Sequence, residues 1–146
     1  MTEVIKAART YLGVPFKHRG RDRRGLDCAG LAWCAFRDTG RVLPDVKRYG
    51  REPHRDGLME TCRLAFREPV WEGEVDQVVP RDLVKVGDLL VIRFELHPHH
   101  IALVGYDPLY GLSMIHADGS PAVRRVVEHG LDLRCQRMVC AVFRSH

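Results

Sequence analysis

The tetrapeptide Asp27-Cys28-Ala29-Gly30 opens a run in which Leu31, Ala32, Ala35 and Phe36 recur at helical spacing. An aspartate at the cap position followed by that pattern predicts a helix starting at Cys28, with Gly40 as its terminator. Because positions 28, 31, 32 and 35 share one helical face, the thiol looks toward the body of the protein. It also sits in the first turn, where unpaired backbone N–H groups and the positive end of the helix dipole favour thiolate over thiol. A cysteine placed this way is a nucleophile candidate, and the rest of the chain has to supply a base and an orienting group.

The surroundings predict an α+β domain. Val4, Ile5, Ala8, Tyr11 and Leu12 form the apolar face of a first helix that Thr2 caps and that Gly13 and Pro15 end. Phe16 to Leu26 reads as a basic, glycine-containing loop, and Arg41 to Arg55 as polar and irregular. A third helix is expected from about Asp56 to Phe66, with Leu58, Met59, Cys62, Ala65 and Phe66 inward. After Pro69 the pattern changes to short strands: Leu89 to Phe94 after the Gly87-Asp88 turn, Ile101 to Val104, Leu112 to His116, Val123 to Val127 after Asp118-Gly119, and Met138 to Phe143. Helices first and a strand meander second imply helices packed on one side of an antiparallel sheet. With 146 residues and neither repeat nor linker, one domain spanning 1–146 is expected.

Composition excludes several classes. Hydrophobic residues make up 45% and charged residues 29%, ordinary for a soluble globular protein. No apolar stretch approaches the roughly 20 residues of a membrane span. Met1 to Arg9 contains no long apolar run, so no secretory signal is read, and cytoplasmic synthesis is expected. The net charge of +4 is concentrated in Lys17, Arg19, Arg21, Arg23 and Arg24, with His18 among them. This segment is either a solvated loop or a rim that attracts an anionic polymer or the carboxylates of a substrate. Without interleaved aromatic residues it lacks the stacking platform of a nucleic-acid site. Five cysteines without metal-type spacing indicate neither a disulfide framework nor zinc, so no metal or cofactor is expected. Cys34, Cys62 and Cys140 read as core, and Cys135 receives no role.

His100 opens one strand and His116 ends the next. Neighbouring antiparallel strands bring two such side chains within hydrogen-bond reach, so His100 is the candidate base and His116 its orienter. His97 and His99 flank Pro98 and read as loop, although the cluster is also compatible with a metal site. Asp27 is read as a helix cap and Asp88 as a turn former. Asp118 is within reach of His116 but is explained by the Asp-Gly turn.

Five stretches together resemble the NlpC/P60 family of cell-wall cysteine peptidases. Ala8 to Phe16 is similar to the helix and Gly-x-Pro-Tyr element that precede the nucleophile. Asp27-Cys28-Ala29-Gly30-Leu31 resembles Asp-Cys-Ser-Gly-Leu. Val86 to Val91 resembles the Pro-Gly-Asp-Leu strand. His100 to Val104 resembles the His-Val-Gly-Ile strand, and Met114-Ile115-His116-Ala117 follows as the Ile-His-Ala segment. The resemblance implies a papain-like α+β core without cofactor, with Cys28 as nucleophile, His100 as base and His116 as third member. It implies hydrolysis of an amide in a peptidoglycan stem peptide, commonly between D-glutamate and a diamino acid.

Two positions depart from the family pattern. Phe16 stands where the family has a tyrosine near the reacting centre, which removes an oxyanion donor and makes nearby His18 the candidate substitute. Ala29 stands where the family has a serine that helps hold a substrate's amino end, and the resemblance groups Asp27, Phe16, His18 and Ala29 as substrate-binding or oxyanion residues. The chain is similar in build to compact members encoded with phage tails and gene transfer agents, so phage tail proteins are expected partners and the virion tail an expected location. Two other readings share the same residues: a thiol amidase, thioesterase or acyltransferase acting inside the cell, and a non-catalytic tail assembly protein.

Overall fold

The computed structural model describes residues 2–45, 57–94 and 97–145. In chain order the elements are α1 (Thr2–Arg9), β1 (Arg21–Asp22), β2 (Gly25–Leu26), α2 (Cys28–Asp38), α3 (Leu58–Phe66), β3 (Trp71–Glu72), a 3₁₀ turn (Arg81–Leu83), β4 (Leu89–Phe94), β5 (His97–Asp107), β6 (Gly111–Asp118), β7 (Arg125–Gly130), α4 (Leu133–Met138) and β8 (Val139–Phe143). Among the described residues, one antiparallel sheet has the order β3-β8-β4-β5-β6-β7, and β1 and β2 form a separate hairpin. The α+β class expected from the sequence is the class observed.

Two-residue alternation along the strands splits the core between the two faces of the sheet. Leu89, Val91, Ile101, Leu103, Ile115, Ala117 and Phe143 pack with Val4, Ile5 and Ala8 of α1, Leu31, Ala35 and Phe36 of α2, and Cys62 and Phe66 of α3. Leu90, Ile92, Ala102, Val104, Met114 and Val142 pack on the other face with Val84, Leu131, Cys135 and Met138. The helices are thus not confined to one side, because short α4 covers part of the second face. Asp132 caps that helix by accepting a hydrogen bond from the Cys135 backbone N–H at 2.8 Å, and α4 takes Met138 out of the expected last strand.

Other boundaries shift for local reasons. Thr2 lies inside α1, and the helix ends at Arg9, leaving Tyr11 buried but Leu12 exposed beyond it. The loop expected from Phe16 to Leu26 contains the β1–β2 hairpin. Pro98 and His99 belong to β5, with a register irregularity at Ile92/Arg93 that accommodates Pro98. Arg124 has φ of 51°, so β7 begins at Arg125 and runs on to Gly130. The start expected for the third helix, Asp56, and most of the irregular stretch before it lie outside the described residues. No described helix is long and apolar enough to cross a membrane.

Helix α2 is seated on the hairpin by close backbone approach. A Cβ on Gly30 would lie 2.0 Å from the Gly20 carbonyl oxygen, and one on Gly20 would lie 2.1 Å from that of Gly25. Glycine at position 30 is therefore a packing requirement of the segment that presents Cys28.

Candidate active site

Asp27 fixes the start of α2. Its Oδ1 accepts from the Gly30 backbone N–H at 2.8 Å and from Arg21 Nη1 at 3.0 Å, and its Oδ2 accepts from the Arg19 backbone N–H at 2.8 Å. A capping contact alone is worth about 1 kcal/mol. Arg21 also holds Asp45 through Nε and Nη2. Arg23 donates to the Thr10 carbonyl and lies 4.2 Å from the Tyr11 ring centroid, while Arg24 pairs with Asp22. Much of the basic segment thus builds the hairpin that carries α2. Buried Asp27, grouped by sequence with the substrate-binding or oxyanion residues, is an acceptor committed to this scaffold.

The Cys28 sulfur faces the backbone N–H groups of Ile101 and Ala29. Ile101 follows His100, so the thiol meets β5 at the peptide unit that joins them. Part of the residue's surface remains open, yet its sulfur is enclosed by protein. Burial, reinforced by the nearby Asp27 carboxylate, pushes the thiol up to about 12, against the pull of the two N–H groups and Arg21. The expected preference for thiolate is overturned: the N–H groups are present, but desolvation outweighs them.

His100, His116 and His129 form one row. His100 Nε2 lies 2.8 Å from His116 Nδ1 with the rings 79° apart, and His116 Nε2 lies 2.8 Å from His129 Nε2 with the rings 86° apart. His129 Nδ1 lies 3.1 Å from the Gly130 carbonyl oxygen. On β6 and β7 His116 is opposite Val127 and Met114 opposite His129, so the two histidines are diagonal neighbours on one face. Burial, and then the neighbouring rings, hold His100 down at about 3 and His116 at about 4, even with Asp118 pulling the other way. Burial raises Asp118's carboxyl, but Ser120 and the two imidazoles lower it more.

The sequence reading missed His129. The expected strand ends at Val127, whereas β7 runs on through His129, and the pairing of His116 with Val127 puts the His129 ring on the face of His116. Of the remaining expected residues, Ala29 aims its N–H at the Cys28 sulfur and lines the cavity beside it. Phe16 packs its ring where a Cβ on Gly119 would touch it at 3.0 Å, and under the Arg124 guanidinium. It forms apolar wall next to the Asp118 turn and has no donor to give an oxyanion. His18 is half-buried in the turn ahead of the hairpin.

Beside Cys28 lies a cavity of about 100 Å³ with a mostly apolar lining that includes Ala32, Trp33, Leu58, Cys62, Phe66 and Ile101. Among the described residues, no group of three or more His, Cys, Asp or Glu side chains is arranged to hold a metal ion. The three imidazoles bond to one another in a row and do not converge on a centre.

A helix-start thiol packed against the strand that begins a histidine row, within an α+β core, defines a papain-like protein. The NlpC/P60 family model matches residues 13–136. The chain belongs to the NlpC/P60 family. Among solved structures it is similar to an NlpC/P60 family protein from Bacillus cereus, at 20% identity and TM-score 0.64, covering 98% of this chain and 39% of that one. It is similar to the peptidoglycan hydrolase RipB from Mycobacterium tuberculosis, at 21% identity and TM-score 0.54, covering 98% and 63%. It is also similar to an N-acetylmuramoyl-L-alanine amidase from Bacteroides uniformis, at 14% identity and TM-score 0.61, covering 99% and 98%. The chain thus spans about two fifths of the Bacillus cereus protein. Comparison with curated proteins gives no match.

Proposed function

We propose that the chain is a cysteine hydrolase that cleaves an amide in peptidoglycan stem peptides, with Cys28 as nucleophile, His100 as base and His116 as its orienter. The observation that carries this reading is the packing of the Cys28 sulfur against the His100–Ile101 peptide, with the ring of His100 bonded to that of His116. Family membership supports the substrate class.

The neutral thiol and neutral imidazole define the first step. As the sulfur attacks the amide carbonyl, its proton passes to His100 and an S–C bond forms. The Cys28 backbone N–H at the start of α2 would hold the oxyanion. His100 then gives that proton to the leaving amine as the C–N bond breaks. In the second half, His100 takes a proton from water, hydroxide attacks the thioester, and Cys28 leaves with the proton restored. The bond proposed is the one between D-glutamate and the diamino acid.

Incubation with purified sacculi, followed by identification of the new amino termini, tests the reading. Release of stem-peptide fragments by the wild type and not by Cys28→Ala is expected. Fragment release unaffected by Cys28→Ala would overturn it. The mostly apolar cavity beside the sulfur favours a second reading, a thiol amidase or acyltransferase acting on an acyl group with an apolar substituent. Intact sacculi together with Cys28-dependent turnover of acyl thioesters would select it. Attachment to a phage tail is part of the first proposal, and recovery of the chain in purified particles is its test.

A further inference from the structure

The row of imidazoles ends on an atom with a fixed role. The Gly130 carbonyl oxygen can only accept, so the nitrogen of His129 beside it, Nδ1 at 3.1 Å, carries the hydrogen. In neutral His129 the other nitrogen, Nε2, then has a lone pair and must accept across the 2.8 Å contact from His116 Nε2. Neutral His116 is left with a lone pair on Nδ1, which accepts from His100 Nε2, again at 2.8 Å. His100 consequently presents Nδ1 as its unprotonated nitrogen. Each contact needs one hydrogen and one lone pair, and the carbonyl removes the choice at every ring.

We propose that His129 is a positioning residue of the active site, one that fixes the tautomers of His116 and His100 by relaying the direction of the Gly130 carbonyl. The inference rests on the proposed function for its catalytic consequence, but the tautomer assignment stands on geometry alone. Burial, which keeps His100 and His116 neutral well below physiological pH, supports it. Without His129, the His116 Nε2–H loses its acceptor in a buried setting. The ring is then free to reverse its hydrogen, and a reversed His116 would drive the hydrogen onto His100 Nδ1 and disable the base.

Imidazole-¹⁵N NMR of the full chain at pH 8 tests the assignment directly in the wild type. Protonated Nδ1 on His129 and protonated Nε2 on His116 and His100 are expected; the opposite pattern at His116 overturns the proposal. His129→Phe should move the His116 nitrogens toward a tautomer mixture and slow iodoacetamide alkylation of Cys28 about 10-fold. It should lower kcat on sacculi with KM nearly unchanged. His129→Gln, whose side-chain oxygen replaces the accepting nitrogen, should restore both the nitrogen pattern and the alkylation rate to within about twofold. Unchanged His116 nitrogens and alkylation in folded His129→Phe would overturn the role. If Phe does not fold, the wild-type spectrum and the Gln variant decide. Inert sacculi with the expected nitrogen pattern would sink the proposed substrate and leave this inference standing.

Discussion

The sulfur of Cys28 faces the backbone N–H of Ile101, so the residue that follows the candidate base also lies against the candidate nucleophile. The contact pulls toward thiolate, yet burial prevails and raises the thiol to about 12, while His100 is held near 3. Thiol and imidazole are therefore both biased toward their neutral forms, and in the proposed mechanism thiolate arises as the proton leaves during attack.

Thiolate absorbance near 240 nm measures this. The difference between wild type and Cys28→Ser should be flat from pH 5 to 9 and rise only above about pH 10. A plateau already present at pH 6 would indicate a resting ion pair and contradict the neutral site.

Acid should unfold the protein through the histidine row. His100 and His116 have folded values near 3 and 4, below the ordinary 6.5, so the unfolded chain binds more protons between those limits. Stability rises with pH in that window and falls as pH drops from 6.5 toward 4 and 3. The slope is up to about 1.4 kcal/mol per pH unit for each histidine. Urea midpoints at pH 4.5 and 7 should show the loss, and His116→Gln should reduce the slope.

Asp27→Ala should destabilise the chain by about 2–3 kcal/mol, since it removes the helix cap and a carboxylate partner of Arg21. Asp27→Asn keeps the capping oxygen and should cost less. Urea denaturation measures both, and near-equal midpoints for wild type and Ala would count against the scaffold role.

Gly30→Ala should be worse than its position in a helix suggests. Helix propensity favours alanine by roughly 1 kcal/mol, but the added Cβ would meet the Gly20 carbonyl oxygen at 2.0 Å. Separation of α2 from the hairpin should cost more than the propensity gains, lowering the melting temperature and slowing Cys28 alkylation. A stabilised variant would refute the close-packing account.

The sequence made the helices legible where cap and period agreed. Asp27 and Gly40 bracket α2, whose predicted stripe is buried at Leu31, Ala32, Ala35 and Phe36. Strand cores were legible at Leu89 to Phe94 and Ile101 to Val104 for the same reason. The β1–β2 hairpin was hidden because its strands are two residues each, and α4 because six residues give too little period. At the site, local pattern indicated Cys28, His100 and His116. The third ring of the row was illegible without the register that sets His129 diagonal to His116. The thiol's state was misread because dipole and N–H groups are local, whereas desolvation belongs to the whole packed core.

The last acceptor in the histidine row belongs to the main chain, at the end of a strand paired with β6. Every ring in the row is open to mutation, but the oxygen that terminates it is present whatever side chain occupies position 130. Inheritance can exchange the intermediaries, while the reference from which they take their polarity is written into the backbone of the sheet.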